Sequence, residues 1–177
     1  DGASALILAS EEGLEKLGMS KDKAAEMVGI GQCEGNLARN PEDLTRLDTT
    51  AAAAAAALEM AGAQPSELGL LEAHDCFTIT EYMAIDHSGL TAPGEAWKAV
   101  EEGVIERDGS FPINASGGLI GLGHPVGATG VRMALDCARQ VSGRAAGMQI
   151  SGAENMITFN LGGSATTCVS LIVGVGA

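Results

Sequence analysis

Short apolar runs alternate with longer segments of helical character along this chain of 177 residues. Short apolar runs bounded by glycine or polar residues are typical of strands that are buried on both faces of a sheet. The predicted strands are residues 3–9, 25–31, 68–73, 156–161 and 166–173. The predicted helices are residues 11–18, 49–61, 78–88, 95–102 and 128–141. This alternation predicts one layered α/β domain, and the short separation of the last two strands predicts a hairpin.

Two of the predicted helices indicate how they pack. Residues 51–57 are seven consecutive alanines. Because alanine is the best helix former and Asp48, Thr49 and Thr50 can cap the segment, we expect a thin helix that lies close to a neighbour. Residues 128–141 have apolar side chains on nearly every side, which predicts a buried helix.

Composition and charge exclude several classes of function. Hydrophobic residues make up 46% of the chain but aromatic residues only 3%, so the core must consist mainly of Ala, Val, Ile, Leu and Met. The formal net charge of −13 argues against binding to nucleic acid or to an anionic membrane, because phosphate groups are bound by clustered Lys and Arg. A phosphate-bearing ligand must then be bound by other means or by another chain. No apolar run reaches the roughly 18 residues that a membrane span needs.

The four cysteines lie at positions 33, 76, 137 and 168. They form neither a CxxC pair nor a cluster with histidine, so the sequence predicts no metal site. Their spacing does not resemble a disulfide framework, and we therefore expect a reducing compartment, the cytoplasm. The chain begins at Asp1 and enters an apolar run at once, which favours a piece of a longer protein.

The first loop with candidate chemistry is His74-Asp75-Cys76-Phe77. It follows the carboxyl end of a predicted buried strand, where sites in α/β folds are favoured. The histidine and the cysteine can serve as hydrogen-bond donor and as acid/base. The alternative, that His74 is a core histidine and Cys76 a small hydrophobic residue, is equally consistent with these four residues.

A second, glycine-rich loop covers residues 114–130. Glycine lets backbone groups approach a ligand closely, yet the order of the glycines fits neither a dinucleotide fingerprint nor a P-loop. His124 lies near the start of the predicted helix 128–141. The positive end of the helix dipole disfavours an imidazolium there and favours a neutral ring that can act as a base. A third loop, residues 160–164, is explained by ordinary hairpin chemistry.

The amino-acid sequence of the two main loops resembles that of the corresponding loops in thiolases. The glycine-rich loop contains N-A-S-G-G from residue 114, G-H-P from residue 123 and G-A-T-G from residue 127, which is similar to the thiolase signature NxSGG…GHPxGATG. The H-D-C-F loop at residue 74 resembles the form seen in thiolases of the sterol-carrier-protein-2 type. The resemblance extends over essentially the whole chain.

The resemblance implies an α/β thiolase fold. The chain would be the C-terminal βαβαβαββ half, with a mixed five-stranded sheet and helices on both faces. Residues 1–22 would be the last strand and helix of the N-terminal half, and residues 23–177 the C-terminal domain. Expected partners are an acyl-CoA substrate and the missing N-terminal half, in an enzyme that forms a homo-oligomer.

The resemblance also implies roles for individual residues. His124 would activate the nucleophilic cysteine and help to bind the thioester oxygen, and His74 would help to form an oxyanion hole. Cys76 would be the acid/base thiol. Contacts with the substrate or coenzyme A are expected from Ser116, Gly117, Asn160 and Gly162. The substrates would be coenzyme A thioesters, with no tightly bound cofactor and no metal.

Two departures from the family pattern matter. Many thiolases have a CxG motif on the last hairpin, where this chain has Asn160-Leu161-Gly162, so Cys76 would have to take that role. The nucleophilic cysteine belongs to the N-terminal half of the family, and Cys33, Cys137 and Cys168 match no nucleophile motif.

The expected function is that of half an acyl-CoA:acetyl-CoA C-acyltransferase, inactive alone. One alternative is a non-catalytic thiolase-like subunit that binds acyl-CoA or a partner. Others are relatives on the same fold, a retro-aldolase of steroid side chains or a ketoacyl synthase.

Overall fold

The computed structural model describes residues 1–39 and 42–176. Residues 40, 41 and 177, which belong to the predicted domain 23–177, lie outside the described residues. The strands are β1 (Ala25–Glu34), β2 (Leu70–Ala73), β3 (Asn155–Gly162) and β4 (Thr167–Val175). The helices are α1 (Glu11–Lys16), α2 (Asp48–Ala61), α3 (Thr78–His87), α4 (Ala96–Glu101), α5 (Gly118–Leu122) and α6 (Thr129–Val141). Within the described residues, no helix is both long enough and apolar enough to cross a membrane.

The strands of the described residues form one mixed sheet in the order β1-β4-β3-β2. β2 pairs with β3 in parallel, whereas β4 is antiparallel to both β1 and β3. The β3–β4 pair is the hairpin that the sequence predicted. The described part of the sheet has four strands, so the expectation of five strands is wrong.

The outer edge of β2 shows why a fifth strand is not formed in the described residues. Leu71 donates its N–H to the Pro112 carbonyl at 3.1 Å and accepts from the Asn114 N–H at 2.9 Å. Between them Ile113 forms a single parallel bridge to Leu71. Asn114 then adopts a left-handed conformation with φ 52°, which ends the extended path, and Pro112 has no N–H to donate. A single bridge therefore stands where a fifth strand would complete the edge.

Residues 3–9, predicted as a strand, have no regular secondary structure. Ile7 and Leu8 are 84% and 74% exposed. A strand persists only where a neighbour pairs with its backbone groups, and in the described part of the chain residues 3–9 pair with none of the four strands of the sheet. The prediction is wrong because an apolar run reports a tendency to be buried and does not supply a pairing partner.

The two faces of the sheet are covered by different helices. Ile157 and Ile172 belong to an apolar cluster with residues of α2, α3 and α4. Their strand neighbours Met156 and Val173 belong to a second cluster with residues of α6. Since successive strand residues point to opposite faces, this confirms an α/β architecture with helices on both sides.

The alanine helix α2 lies against β1 at very short range. Ala53 and Ala57 are buried, and their carbonyl oxygens lie where side chains of Gly31 and Gly29 would begin. Any Cβ at these two glycines would overlap the helix backbone. The alanines on one element and the glycines on the other therefore confirm the predicted close packing.

Helix α6 is buried on one face rather than on all sides. Val131 and Arg139 are exposed, and the buried face includes the polar residues Asp136 and Gln140. Asp136 lies buried because Arg132, one turn earlier, pairs with it at 3.0 Å. Counting apolar residues missed these satisfied polar side chains, so the prediction of a helix buried because it is apolar on nearly every side is wrong.

We expect Gly31→Ala to lower the free energy of unfolding by about 2–3 kcal/mol, because the new methyl group meets backbone that cannot rotate away. Gly147→Ala is the matched control, since a Cβ there meets nothing within 4 Å. That variant should change stability by less than about 0.5 kcal/mol. Urea unfolding followed by circular dichroism measures both. Equal losses in the two variants would contradict the close approach of α2.

Candidate active site

His74 follows the carboxyl end of β2 and has a buried ring, 6% exposed. Its backbone N–H donates to the Phe159 carbonyl at 2.9 Å, so the parallel ladder continues for one more residue. Nδ1 of the ring lies 2.8 Å from Oδ1 of Asn160 on β3. An amide oxygen only accepts, so Nδ1 carries the proton and Nε2 of the neutral ring holds a lone pair.

His124 lies in the glycine-rich loop, between α5 and α6, and is exposed. Its Nδ1 lies 2.7 Å from the hydroxyl oxygen of Thr129, the first residue of α6. The same hydroxyl lies 3.2 Å from the Pro125 carbonyl. When the hydroxyl donates to that carbonyl, its oxygen accepts from Nδ1–H of His124, and Nε2 of the neutral ring is then unprotonated.

The two histidine rings meet edge to face. Their centroids are 4.9 Å apart and their planes are 89° to each other. Burial is the main cause that lowers the pKa of His74, and the neighbouring His124 acts in the same direction. The hydrogen bond with Asn160 acts in the opposite direction. The pair thus favours a neutral His74 that can accept a proton.

The side chain of Asn160 lies between His74 and the first turn of α6. A Cβ at Gly130 would overlap Nδ2 of Asn160, so the amide fits only beside a glycine. With Nδ2 against the helix, Oδ1 faces the ring of His74. Gly130 therefore helps to set which ring nitrogen of His74 is protonated.

Asp75 ties the loop after β2 to the glycine-rich loop. Its buried carboxylate accepts the backbone N–H of Leu119 at 2.6 Å and that of Ile120 at 3.4 Å, at the start of α5. A Cβ at Gly118 would overlap this carboxylate, and Gly118 also has a φ of +61°. The carboxylate thus accepts hydrogen bonds from backbone N–H groups that have no acceptor within the first turn of a helix.

A second buried carboxylate belongs to Glu72, on the strand that precedes this loop. Glu72 on β2 is 1% exposed and accepts both the backbone N–H of Ser116 at 3.2 Å and its hydroxyl at 2.6 Å. Burial raises the pKa of Glu72 to about 7, against the opposite effect of the two bonds from Ser116. Arg132 donates to the same hydroxyl at 3.4 Å and to Asp136 at 3.0 Å. We call Glu72, Ser116, Arg132 and Asp136 the charged layer.

The charged layer lies directly beneath the histidine pair. Residues 72 and 74 are two apart on the same strand path, so their side chains lie on the same face of the sheet. That face is covered by α6, which supplies Arg132 and Asp136 to the layer and Thr129 to His124.

The structure brings together His74, His124 and Asn160 among the residues that the sequence predicted. Cys76 is exposed in the turn between β2 and α3, two residues after His74. Ser116 is buried in the charged layer, so its hydroxyl is already occupied. Its roles and those of the other predicted positions stay predictions.

Gly117 and Gly162 are both exposed. Gly117 precedes α5 with a φ of +98°, and Gly162 ends β3.

Sequence reasoning gave no role to Glu72, Asp75, Thr129 and Arg132. Asp75 and Thr129 stood within the loops that carried the resemblance. Glu72 left a signal of its own, since a carboxylate in an otherwise apolar buried strand must have a partner. Asp136 lies one turn from Arg132 on the same helix, whereas the contact of Arg132 with Ser116 becomes apparent only when α6 is packed against the sheet.

The surroundings of the histidines are open and partly apolar. A cleft of about 780 Å³ lies beside His124 and is lined by residues 1–4 and 122–128. The two site loops and the start of α3 expose the large apolar side chains Phe77, Ile79, Ile120, Leu122 and Val126. Exposed apolar groups of this kind mark surfaces that contact another apolar group. The described residues contain no group of three or more His, Cys, Asp or Glu placed to bind a metal ion.

Comparison with known proteins gives consistent results. Residues 31–175 match the family described as thiolase C-terminal domain-like. An acetyl-CoA acetyltransferase of Methanothermobacter thermautotrophicus is 38% identical over 168 residues, which cover 94% of this chain and 43% of that protein. Sterol carrier protein 2 of Homo sapiens is 34% identical over 176 residues, covering 97% of this chain and 32% of that protein.

Among solved structures, the Ltp2-ChsH2(DUF35) aldolase superposes with a TM-score of 0.77 at 22% identity, covering 86% of this chain and 40% of that one. This likeness supports the fold. The chain spans less than half the length of each of these three proteins.

We expect Asn160→Ala to lower the pKa of His74 further, because the amide opposes the effect of burial. Titration of the histidine ring carbons by NMR measures this. His87, whose ring bonds the Met83 carbonyl and the Leu47 N–H, serves as the internal reference. In the parent, a His74 pKa below the unfolded value of about 6.5 contributes stability above that pH, which is lost as the pH falls through the folded value. A rise of the His74 pKa in the variant would refute the hydrogen bond.

Proposed function

Because the chain belongs to the thiolase C-terminal domain-like family, we propose that it forms the histidine-bearing half of an acetyl-CoA C-acyltransferase. The reaction is the Claisen condensation of two acyl-CoA thioesters or, in reverse, the thiolysis of a 3-ketoacyl-CoA. The observation that carries this proposal is the contact of His74 and His124, whose ring centroids are 4.9 Å apart and whose Nδ1 atoms each lie within hydrogen-bond distance of a side-chain oxygen. Two unprotonated Nε2 atoms then serve the acyl transfer.

The nucleophilic thiol comes from outside these 177 residues, in the N-terminal half that we propose as the partner. Residues 23–177 form the C-terminal domain, and residues 1–22 belong with the other half. The exposure of Ile7 and Leu8 supports this division, since apolar side chains so exposed are suited to packing against a partner.

His124 activates the nucleophile. A free thiol with a pKa of about 8.5 is only a few per cent thiolate at neutral pH, so it needs a base. Nε2 of His124 takes the thiol proton while the sulfur attacks the thioester carbonyl. The imidazolium then donates Nε2–H to the oxygen on which negative charge develops, and a preorganised donor of this kind is worth about 3–4 kcal/mol. The same proton leaves with the thiolate of coenzyme A.

His74 acts with Cys76 in the carbon–carbon bond step. A neutral His74 accepts at Nε2, so it donates to an oxyanion only after it has taken a proton. It takes that proton from the Cys76 thiol, and the thiolate removes the α-proton of the acyl group. The imidazolium of His74 donates to the enolate oxygen that forms. The two-residue separation of His74 and Cys76 in one turn supports this pairing.

Coenzyme A contacts are proposed at Gly117 and Gly162, which are exposed, and at Ser116 and Asn160. Since the hydroxyl and the N–H of Ser116 both donate to Glu72, its proposed contact with the ligand uses the backbone carbonyl. No tightly bound cofactor enters the proposed reaction.

The protein that carries this chain should cleave acetoacetyl-CoA when free coenzyme A is added. His124→Ala should lower kcat by roughly 10²–10⁴-fold, the usual effect of losing a general base. Leu44→Ala is the control, an exposed apolar residue outside the two site loops. The 177 residues alone should not turn over, because they contain no match to the nucleophile motif. Full activity of His124→Ala would overturn the proposal.

The alternative functions give other results in the same assay. A retro-aldolase cleaves its substrate without consuming free coenzyme A. A non-catalytic subunit binds an acyl-CoA and gives no product, even with the N-terminal half present. The dependence of product formation on free coenzyme A therefore separates these functions.

Loss of the Cys76 thiol should slow the exchange of the α-protons of acetyl-CoA by roughly 10²-fold or more. The proton needs a base, which Cys76→Ala removes. Asn160→Ala should cost less, because an amide cannot take the proton. Deuterium wash-in followed by NMR measures the exchange, with Cys33→Ala as a control for thiol loss elsewhere. Exchange at the parent rate in Cys76→Ala, together with loss in Asn160→Ala, would return Cys76 to a small apolar role.

A further inference from the structure

The carboxylates of the charged layer are almost fully buried, although charged side chains are normally exposed to solvent. Glu72 and Asp136 are 1% and 5% exposed. Nε and Nη2 of Arg132 are buried and have no hydrogen-bond partner among the described residues. Buried ionisable groups are costly, so their presence beneath the histidines calls for a reason beyond packing.

Ser116 joins this layer to the glycine-rich loop. Its hydroxyl donates to Glu72 at 2.6 Å and accepts from the Gly118 N–H at 3.2 Å and from Arg132 at 3.4 Å. One donor and two acceptor positions are thereby all used. Gly118 is the first residue of α5, and His124 follows two residues after that helix ends. A continuous path of hydrogen bonds and short backbone thus leads from Glu72 to His124.

We propose that Glu72 is a positioning residue, which through Ser116 fastens the glycine-rich loop and so sets the place of His124, with Arg132 and Asp136 as its charge partners. The importance of the position of His124 rests on the proposed function. The test of the inference measures no enzymatic turnover, so the inference and the proposed function can fail separately.

The ionised form of Glu72 makes the stronger attachment. A carboxylate accepts both the N–H and the hydroxyl of Ser116 as charge-assisted bonds. A protonated Glu72 would have to donate a proton of its own, yet the acceptor positions of the Ser116 oxygen are already filled. Protonation therefore weakens the attachment and loosens the loop.

The groups around Glu72 set the pH at which this happens. Arg132, Asp136 and the neutral thiol of Cys137 face it from α6, and His74 is the next residue on the same face of β2. Burial and Asp136 raise the pKa of Glu72, and Arg132 lowers it, with a result of about 7. Burial also raises the pKa of Cys137 well above its usual value, so that thiol stays neutral. The loop is fastened above about pH 7 and loosened below it.

The experiment compares Glu72→Gln with the parent by amide hydrogen exchange of Ser116 and Gly118, measured by NMR on the full chain. At about pH 8, exchange should be about tenfold faster or more in the variant, because a bond to a charged acceptor is lost. At about pH 5.5 the parent is itself protonated, and the difference should shrink to about twofold or less. The ring signals of His124 should shift in the variant at the higher pH. Asp86→Asn is the matched control, since Asp86 accepts the Gly94 N–H far from the site.

Three results would overturn the inference. The first is an unchanged exchange rate at about pH 8 in Glu72→Gln. The second is an equal acceleration at both pH values, which would indicate a purely structural role. If Glu72→Gln does not fold, Glu72→Gln/Arg132→Met removes both charges at once, and Asp136 keeps its ion pair with Arg139 at 3.6 Å. The third is a double variant whose Ser116 exchange keeps the pH dependence of the parent.

Discussion

A buried carboxylate cannot remain ionised without donors, and this constraint fixes the part of the chain that carries the chemistry. Glu72 and Asp75, three residues apart, accept backbone N–H groups of the same glycine-rich loop at Ser116, Leu119 and Ile120. If the loop moved away, both buried acceptors would lose their donors, at a cost of several kcal/mol each for an ion. A segment with few side chains to pack is thus fastened by hydrogen bonds to the four-residue strand β2 and to the loop that follows it.

The glycines of this region serve the same arrangement. Gly118 leaves room for the carboxylate of Asp75, and Gly130 leaves room for the amide of Asn160. In both cases a polar side chain occupies the space that a Cβ would take. Polar groups can therefore approach the backbone closely enough to orient a helix start and a histidine ring. The same principle joins α2 to β1, where Gly29 and Gly31 admit the carbonyl oxygens of an alanine helix.

The sequence predicted those features whose causes are local. The helix expected over 49–61 is Asp48–Ala61, because alanine propensity and capping act within the segment. His74 lies at a strand end as expected, because the apolar run before it is short and fully buried. The failures have other causes. Residues 3–9 find no strand to pair with in the described structure. On α6, counting apolar residues overlooked buried polar side chains with partners nearby in the sequence, Asp136 with Arg132 and Gln140 with Met148.

The contacts of the candidate site lay partly within reach of the sequence. The two loops were identified by their residues, and the pairing of His74 with Asn160 joins positions that both belonged to the expected site. The bonds from Ser116 to Glu72 could not be predicted, since nothing in either segment encodes the other. A charged residue within a buried strand was the available sign that such a partner had to exist.

The distribution of charge also indicates which end of a coenzyme A thioester this half would serve. Arg132 is close enough to the histidines to lower the pKa of His74, yet its side chain is only 15% exposed and pairs with Asp136. Its positive charge is neutralised by Asp136 inside the protein and is not presented to the phosphates of a ligand. With a net charge of −13, the chain is poorly suited to hold those phosphates, whereas its two adjoining histidines are the groups that we propose for the thioester carbonyl. The proposed division is therefore chemical as well as structural, with acyl chemistry on this half and phosphate binding elsewhere.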